Sequence, residues 1–198
     1  MGKFKATAIM AVMLVCAIGT CAFAQKLEPQ QQTCIEIAYE EGSRIELYGD
    51  TWGETAASIA YQESHCNRKV YQTEGVIVGD LNSNGRPRSL GVMQVQVATA
   101  RHVGKVFPNV FMRKYGDRRP SDEELAVDLL IDMRFNITVG VHYFAWLLEY
   151  RNGNWDKAVL SYNRGTGSNL KDINDYVRKV REWRRNIVIP HINMKRGR

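Results

Sequence analysis

The stretch from Met133 to Tyr150 restricts the fold more than any other. Ile137, Val141, Phe144, Ala145 and Leu148 fall on one side of a 3.6-residue period, which predicts a long amphipathic helix, and Gly153 follows as its C-terminal cap. Such a helix has to bury its apolar stripe against other elements.

Further helices at the same period can supply them. From Cys34, the residues Ile35, Ile37, Ala38 and Tyr39 predict a short helix ending at Gly42, and a second runs from about Thr55 to His65 with Ala56, Ile59, Ala60 and Glu63 along one face. The helical period returns from Val92 to about Val106, where Pro108 stops it. Ser121 with Glu124 forms a capping box ahead of Leu125, Leu129 and Leu130. Two more helices fit Asp156 to Tyr162 and Ile173 to about Asn186. Between Val70 and Gly91 the pattern shortens to Val76, Ile77, Val78 and Leu81, and Asn84-Gly85 signals a hairpin turn. With no internal repeat or long linker, the expectation is a single α+β domain over residues 33–187, mostly helical with a small β-hairpin insert.

Residues 1–24 read as a secretory signal peptide: Lys3 and Lys5, an apolar run from Ala6 to Ile18, and Ala22-Phe23-Ala24 as the cleavage site. The run is shorter than the roughly 20 residues of a spanning helix, so an exported, periplasmic chain cleaved after Ala24 is expected, without a transmembrane anchor. Lipidation at Cys21 is disfavoured by the bulk of Thr20. Residues 25–32 form a short polar leader. Loss of Lys3 and Lys5 lowers the formal charge from +6 to +4. What remains is concentrated late, at Arg178, Lys179, Arg181, Arg184 and Arg185, and in a basic tail, 188–198, with Lys195, Arg196 and Arg198. Polyanions of several kinds would attract such a tail, while the plainer reading is a solvated helix face with a frayed end.

After cleavage two cysteines remain, Cys34 and Cys66, and a pair in an exported chain suggests a disulfide. Closing its loop would stabilise the fold by roughly 3 to 4 kcal/mol; two free buried thiols are the alternative.

Glu63 follows the apolar Ala57, Ile59, Ala60 and Tyr61, surroundings that disfavour a charged carboxylate and suit a general acid. A helix-end glutamate on its own is more commonly a solvated or capping residue. Asp80 is placed where a second carboxylate could face it, or where it simply bonds turn amides beside Asn82. Asp80, Asn82, Asn84 and Gly85 also open like a calcium loop, but Gly91 stands where the bidentate Glu is needed, and Arg86 and Arg88 bring positive charge. His65, His102, His142 and His191 show no ligand spacing, so no metal is expected, and no Ser-His-Asp arrangement can be assembled. Tyr143, Trp146 and Trp155 could stack on sugars or serve the core.

Three blocks alter the weight of Glu63: Glu63-Ser64, then Gly91-Val92-Met93-Gln94, then Ser161-Tyr162-Asn163-Arg164-Gly165. With Asn67, Thr99-Ala100, Asn136, Gly140, Tyr143, Leu147 and Gly153-Asn154 between and around them, the chain resembles the soluble lytic transglycosylase family over about residues 54–180. Val92, Ser161 and Arg164 depart from that family's usual Leu, Ala and small residue.

The resemblance implies a lysozyme-like fold and non-hydrolytic cleavage of the MurNAc-GlcNAc bond of peptidoglycan, giving 1,6-anhydromuramoyl ends. It implies Glu63 as sole acid and base, and Ser64, Met93, Gln94, Tyr143, Tyr162 and Asn163 around the sugar, with the Tyr162 hydroxyl close to Glu63. It implies no cofactor, no nucleic acid and a monomer acting on glycan strands, of the kind that serves conjugation, secretion or phage penetration. Two alternatives stand beside it: a muramidase that hydrolyses the same bond with Asp80 as second carboxylate, and a peptidoglycan-binding assembly protein without catalysis.

Overall fold

The computed structural model describes residues 26–66, 72–73, 76–77, 79, 83, 85, 88–167 and 175–197. The expected signal peptide with its cleavage site, Asn67, and the Asp80, Asn82 and Asn84 of the candidate turn lie outside the described residues.

The first helix, α1 (Pro29–Ser43), begins within the expected polar leader. Pro29 is pre-organised for a first helical position, and Glu28 and Gln31 cap each other reciprocally, Glu28 N–H donating to Gln31 Oε1 at 3.0 Å. A hairpin that the sequence pattern did not announce follows, β1 (Glu46–Leu47) paired antiparallel with β2 (Asp50–Thr51). Its turn residues Tyr48 and Gly49 both take positive φ, 57° and 76°, the geometry that tight hairpins favour. Helix α2 (Gly53–Ser64) then packs against α1. The two helices approach so closely that a Cβ on Gly42 would lie 2.7 Å from the Ala56 Cβ.

The expected hairpin insert is present as β3 (Gln72–Thr73) and β4 (Val76–Ile77), antiparallel with Thr73 opposite Val76. Gly85 of the expected Asn-Gly turn takes a positive φ of 69°, while Asn84 lies outside the described residues. No helix starts at Val92. Leu90 bridges Val95 across a turn in which Gly91 (φ +68°) and Gln94 (φ +51°) are left-handed, a conformation no helix continues through. Helix α3 therefore spans Val97–Val106. Pro108, expected only as a stop, also opens α4 (Pro108–Tyr115), since proline at the first position loses no helical hydrogen bond.

The Ser121 cap is formed, its hydroxyl accepting from Glu124 N–H at 3.1 Å at the start of α5 (Asp122–Ile131). The long helix α6 has the expected bounds, Met133–Tyr150, and the Asp132 carboxylate caps it by accepting from Phe135 N–H at 2.9 Å. Asn154 caps α7 (Trp155–Arg164) in the same way. Helix α8 (Asp175–Trp183) runs through a π-helical turn, Arg184–Val188, into α9 (Ile189–Arg196).

The basic tail is thus folded, not frayed. His191 and Ile192 are buried; His191 Nε2 and Lys195 Nζ each lie 3.0 Å from Glu36 Oε1, and the Arg196 guanidinium sits 5.1 Å over the Tyr39 ring. Arg184 pairs with Glu54 at 2.6 Å and Arg181 with Asp156 at 2.5 Å. Arg181, Arg184, Lys195 and Arg196 tie the stretch from α8 to α9 onto α1, α2 and α7. At the centre, Ile137, Val141, Leu147 and Leu148 of α6 are sealed by Ile59, Ala60, Val103, Leu125, Leu129 and Leu160. The architecture is the expected mostly helical α+β domain. Among the described residues no helix is long and apolar enough to cross a membrane.

Candidate active site

Glu63 is the penultimate residue of α2, a helix whose turns from Thr55 to Tyr61 are buried. His65 (φ +50°) and Cys66 (φ +52°) take left-handed backbone and end it, with His65 N–H donating to Tyr61 O at 2.8 Å. The stop is anchored from α1, where Gln31 Nε2 donates to His65 O at 2.8 Å. The Glu63 carboxyl is thereby held at a fixed helix end.

Burial pushes the Glu63 pKa up to about 7, and one hydrogen bond opposes the shift: the Tyr176 hydroxyl donates to Glu63 Oε1. Desolvation wins because a buried carboxylate loses more hydration than one phenol returns. Helix α8 brings Tyr176 there by packing Val177 and Val180 into the core, while Trp183 Nε1 donates to Gln62 Oε1 at 2.7 Å. Sequence reasoning missed Tyr176. Its only signal was an aromatic residue on the last expected helix.

Ser64, expected at the sugar, is fully buried, and its hydroxyl donates to Val92 O at 2.8 Å. One helical step of about 100° separates its direction from that of Glu63. Ser64 pins the end of α2 to the Gly91–Gln94 turn and has no surface to offer a glycan. The Met93 side chain, also expected at the sugar, is equally buried, packed on Gly140 so closely that a Cβ there would lie 2.7 Å from the Met93 Cβ. Its backbone is what matters locally: Met93 N–H donates to Asn136 Oδ1 at 2.8 Å, and Met93 O accepts from the Tyr162 hydroxyl at 2.9 Å.

The Tyr162 hydroxyl is therefore engaged by the turn, and it is Tyr176 that bonds Glu63. Tyr162 still lies within the field of Glu63: burial first, then that charge, raises its pKa. Asn136 organises the whole turn. Besides Met93, its Nδ2 donates to Leu90 O at 2.9 Å and Leu129 O at 3.1 Å, and Gly91 fits only because a Cβ would fall 2.4 Å from that nitrogen.

Gln94 is half-buried; its Nε2 donates to Gly91 O at 2.8 Å and its Oε1 rests on Gly79, where a Cβ would come within 2.2 Å. Tyr143 is half-buried, with its ring 5.5 Å from that of Tyr162, and Asn163 is exposed near the end of α7. The structure so gathers Glu63, Tyr176, Tyr162, Tyr143 and the Gln94 turn, and turns Ser64 and Met93 inward.

Cys34 and Cys66 are free thiols, both fully buried. They adjoin one another, and burial together with the neighbouring Cys34 thiol pushes the Cys66 thiol well up. Among the described residues no group of three His, Cys, Asp or Glu side chains could hold a metal ion. No second carboxylate among them acts on the titration of Glu63. The arrangement can donate one proton near neutral pH and take one back, through the same group.

A family model described as the transglycosylase SLT domain matches residues 46–186. No curated protein and no solved structure matches the chain.

Proposed function

On the footing that the chain belongs to the transglycosylase SLT family, with its lysozyme-like fold, we propose that it is a peptidoglycan lytic transglycosylase with Glu63 as its catalytic residue. The observation that carries this reading is the Glu63 carboxyl, protonated to about pH 7 by burial and held by Tyr176 beside the Gly91–Gln94 turn.

Glu63 first gives its proton to the glycosidic oxygen leaving the muramic acid C1, and that C–O bond breaks. Positive charge develops at C1, where the substrate's own acetamido oxygen and the new carboxylate stabilise it. The carboxylate then removes the proton of the C6 hydroxyl, whose oxygen bonds C1 to close the 1,6-anhydro ring. Glu63 ends protonated, and no water is consumed. A group with pKa about 7 suits both halves, because it is neither a reluctant acid nor a feeble base at neutrality.

Gln94, Tyr143, Tyr162 and Asn163 are the residues proposed to touch the glycan, with Ser64, Met93 and Asn136 fixing the turn that carries Gln94. Action on the cell wall agrees with export to the periplasm and with oxidation of the adjacent Cys34 and Cys66 to a disulfide. Mass spectra of the released muropeptides test the function. Anhydro ends, lighter by one water than hydrolysed ends, are expected; fully hydrated ends would assign the chain to muramidases instead.

A further inference from the structure

We infer that the site at Glu63 extends along α6 to a basic pocket that receives carboxylates of the peptide carried by a glycan strand. The inference rests on the peptidoglycan reading above. It starts from a row of rings. From Tyr162 the contacts pass to Tyr143 at 5.5 Å, from Tyr143 to Trp146 at 5.8 Å in a stacked pair, and from Trp146 to His102 at 4.2 Å. All four rings are half-buried, so the row has one side in the fold and one side open.

His102 is also a wall of a cavity of about 510 Å³ between α3, α4 and the chain before α5, lined by Arg101, Gly104, Lys105, Phe111 and Arg119 as well. Among the described residues no acidic side chain lines it. Arg101 is fixed at its edge by Asp122, at 2.7 and 2.9 Å, and by Pro120 O at 2.7 Å. Lys105 and Arg119 have no acidic partner among the described residues. Two unbalanced cations over an aromatic floor suit carboxylate groups on a flexible chain.

The spacing agrees. Along α3, Val97 to Lys105 covers about 12 Å at the helical rise, a distance that about four extended residues span. A stem peptide leaving a sugar near Gln94 therefore reaches the pocket. The larger cavity, about 700 Å³ at the other end of α2, differs: two of its arginines, Arg181 and Arg184, are already neutralised by Asp156 and Glu54.

The test compares three strands: peptide-bearing, the same with its carboxylates amidated, and peptide-stripped. For the wild-type protein kcat/KM on the first should exceed the other two about tenfold, the size of effect that two exposed charge-assisted contacts give. Lys105→Gln with Arg119→Gln should erase that preference and leave cleavage of stripped strands unchanged. Equal rates of the wild type on native and amidated strands would overturn the inference, as would a double variant equally slow on every strand. Co-sedimentation of Glu63→Gln protein with the three strands reads the pocket without catalysis. The same preference is expected there even if the products prove hydrated, and its absence counts against the pocket alone.

Discussion

Tyr176 donates its hydroxyl to Glu63 Oε1 across 113 residues of sequence, joining the last third of the chain to the end of α2. This bond favours the charged carboxylate against burial. Replacing Tyr176 with Phe should therefore raise the Glu63 pKa further and carry the basic limb of the rate profile to higher pH. A slower first step is expected as well, since giving up the proton then forms a carboxylate without its hydrogen bond. A pH profile of kcat identical to wild type would show that the bond has no part in the titration.

For the wild type, with Glu63 titrating at about 7, kcat/KM should fall as pH rises through neutrality, because the first step needs the protonated acid. A limb below pH 5 would assign the acid to a different group.

Glu63→Gln should abolish cleavage, by about 10² to 10⁴-fold or more for loss of an acid/base, and should stabilise the fold at alkaline pH. The folded pKa is raised, so the protonated form favours folding; that contribution is full below about 4.5 and lost as pH rises through about 7. The variant escapes the loss. Its advantage should be at most about 3 kcal/mol at pH 8 and vanish near pH 4, measured by urea unfolding at both. No pH dependence of the difference would contradict the buried titration.

Asn136→Ala removes three hydrogen bonds and leaves Met93 N–H and Leu129 O unsatisfied in the core, while Leu90 O keeps the bond from Val95 N–H. A loss of about 3 kcal/mol is expected, which for a domain of this size lowers Tm by roughly 6 to 12 °C. A scan within 2 °C of wild type would mean the turn holds itself.

The buried pair Cys34 and Cys66 should be oxidised in protein taken from the periplasm. Thiol titration after unfolding should find no free sulfhydryl, and reduction should cost about 3 kcal/mol of stability. Two titratable thiols would mean that the pair stays reduced.

Legibility of the fold followed how local its determinants are. Helix α6 was readable to its ends because its stripe and the Asp132 cap are written in consecutive residues. Helix α4 was not, since Pro108 punctuates in both directions. The C-terminal helix was misread as a tail because its partners Glu36 and Tyr39 sit on α1, at separations no window covers. At the site, the three blocks located the place but not the facing. Ser64 is adjacent to Glu63 and points into the protein, and Met93 is adjacent to Gln94 and does the same. Tyr176 belongs to no block, and only the docking of α8 reveals it.

The left-handed residues around the site carry a last implication. His65, Cys66 and Gln94 are not glycines, yet each holds a positive φ at a cost of about 1 kcal/mol. A selection for thermal hardiness alone would replace His65 or Gln94 by glycine and gain most of that back. Such winners would loosen the two bends between which the acid is held, so a screen for heat resistance and a screen for wall cleavage should choose opposite alleles at these positions.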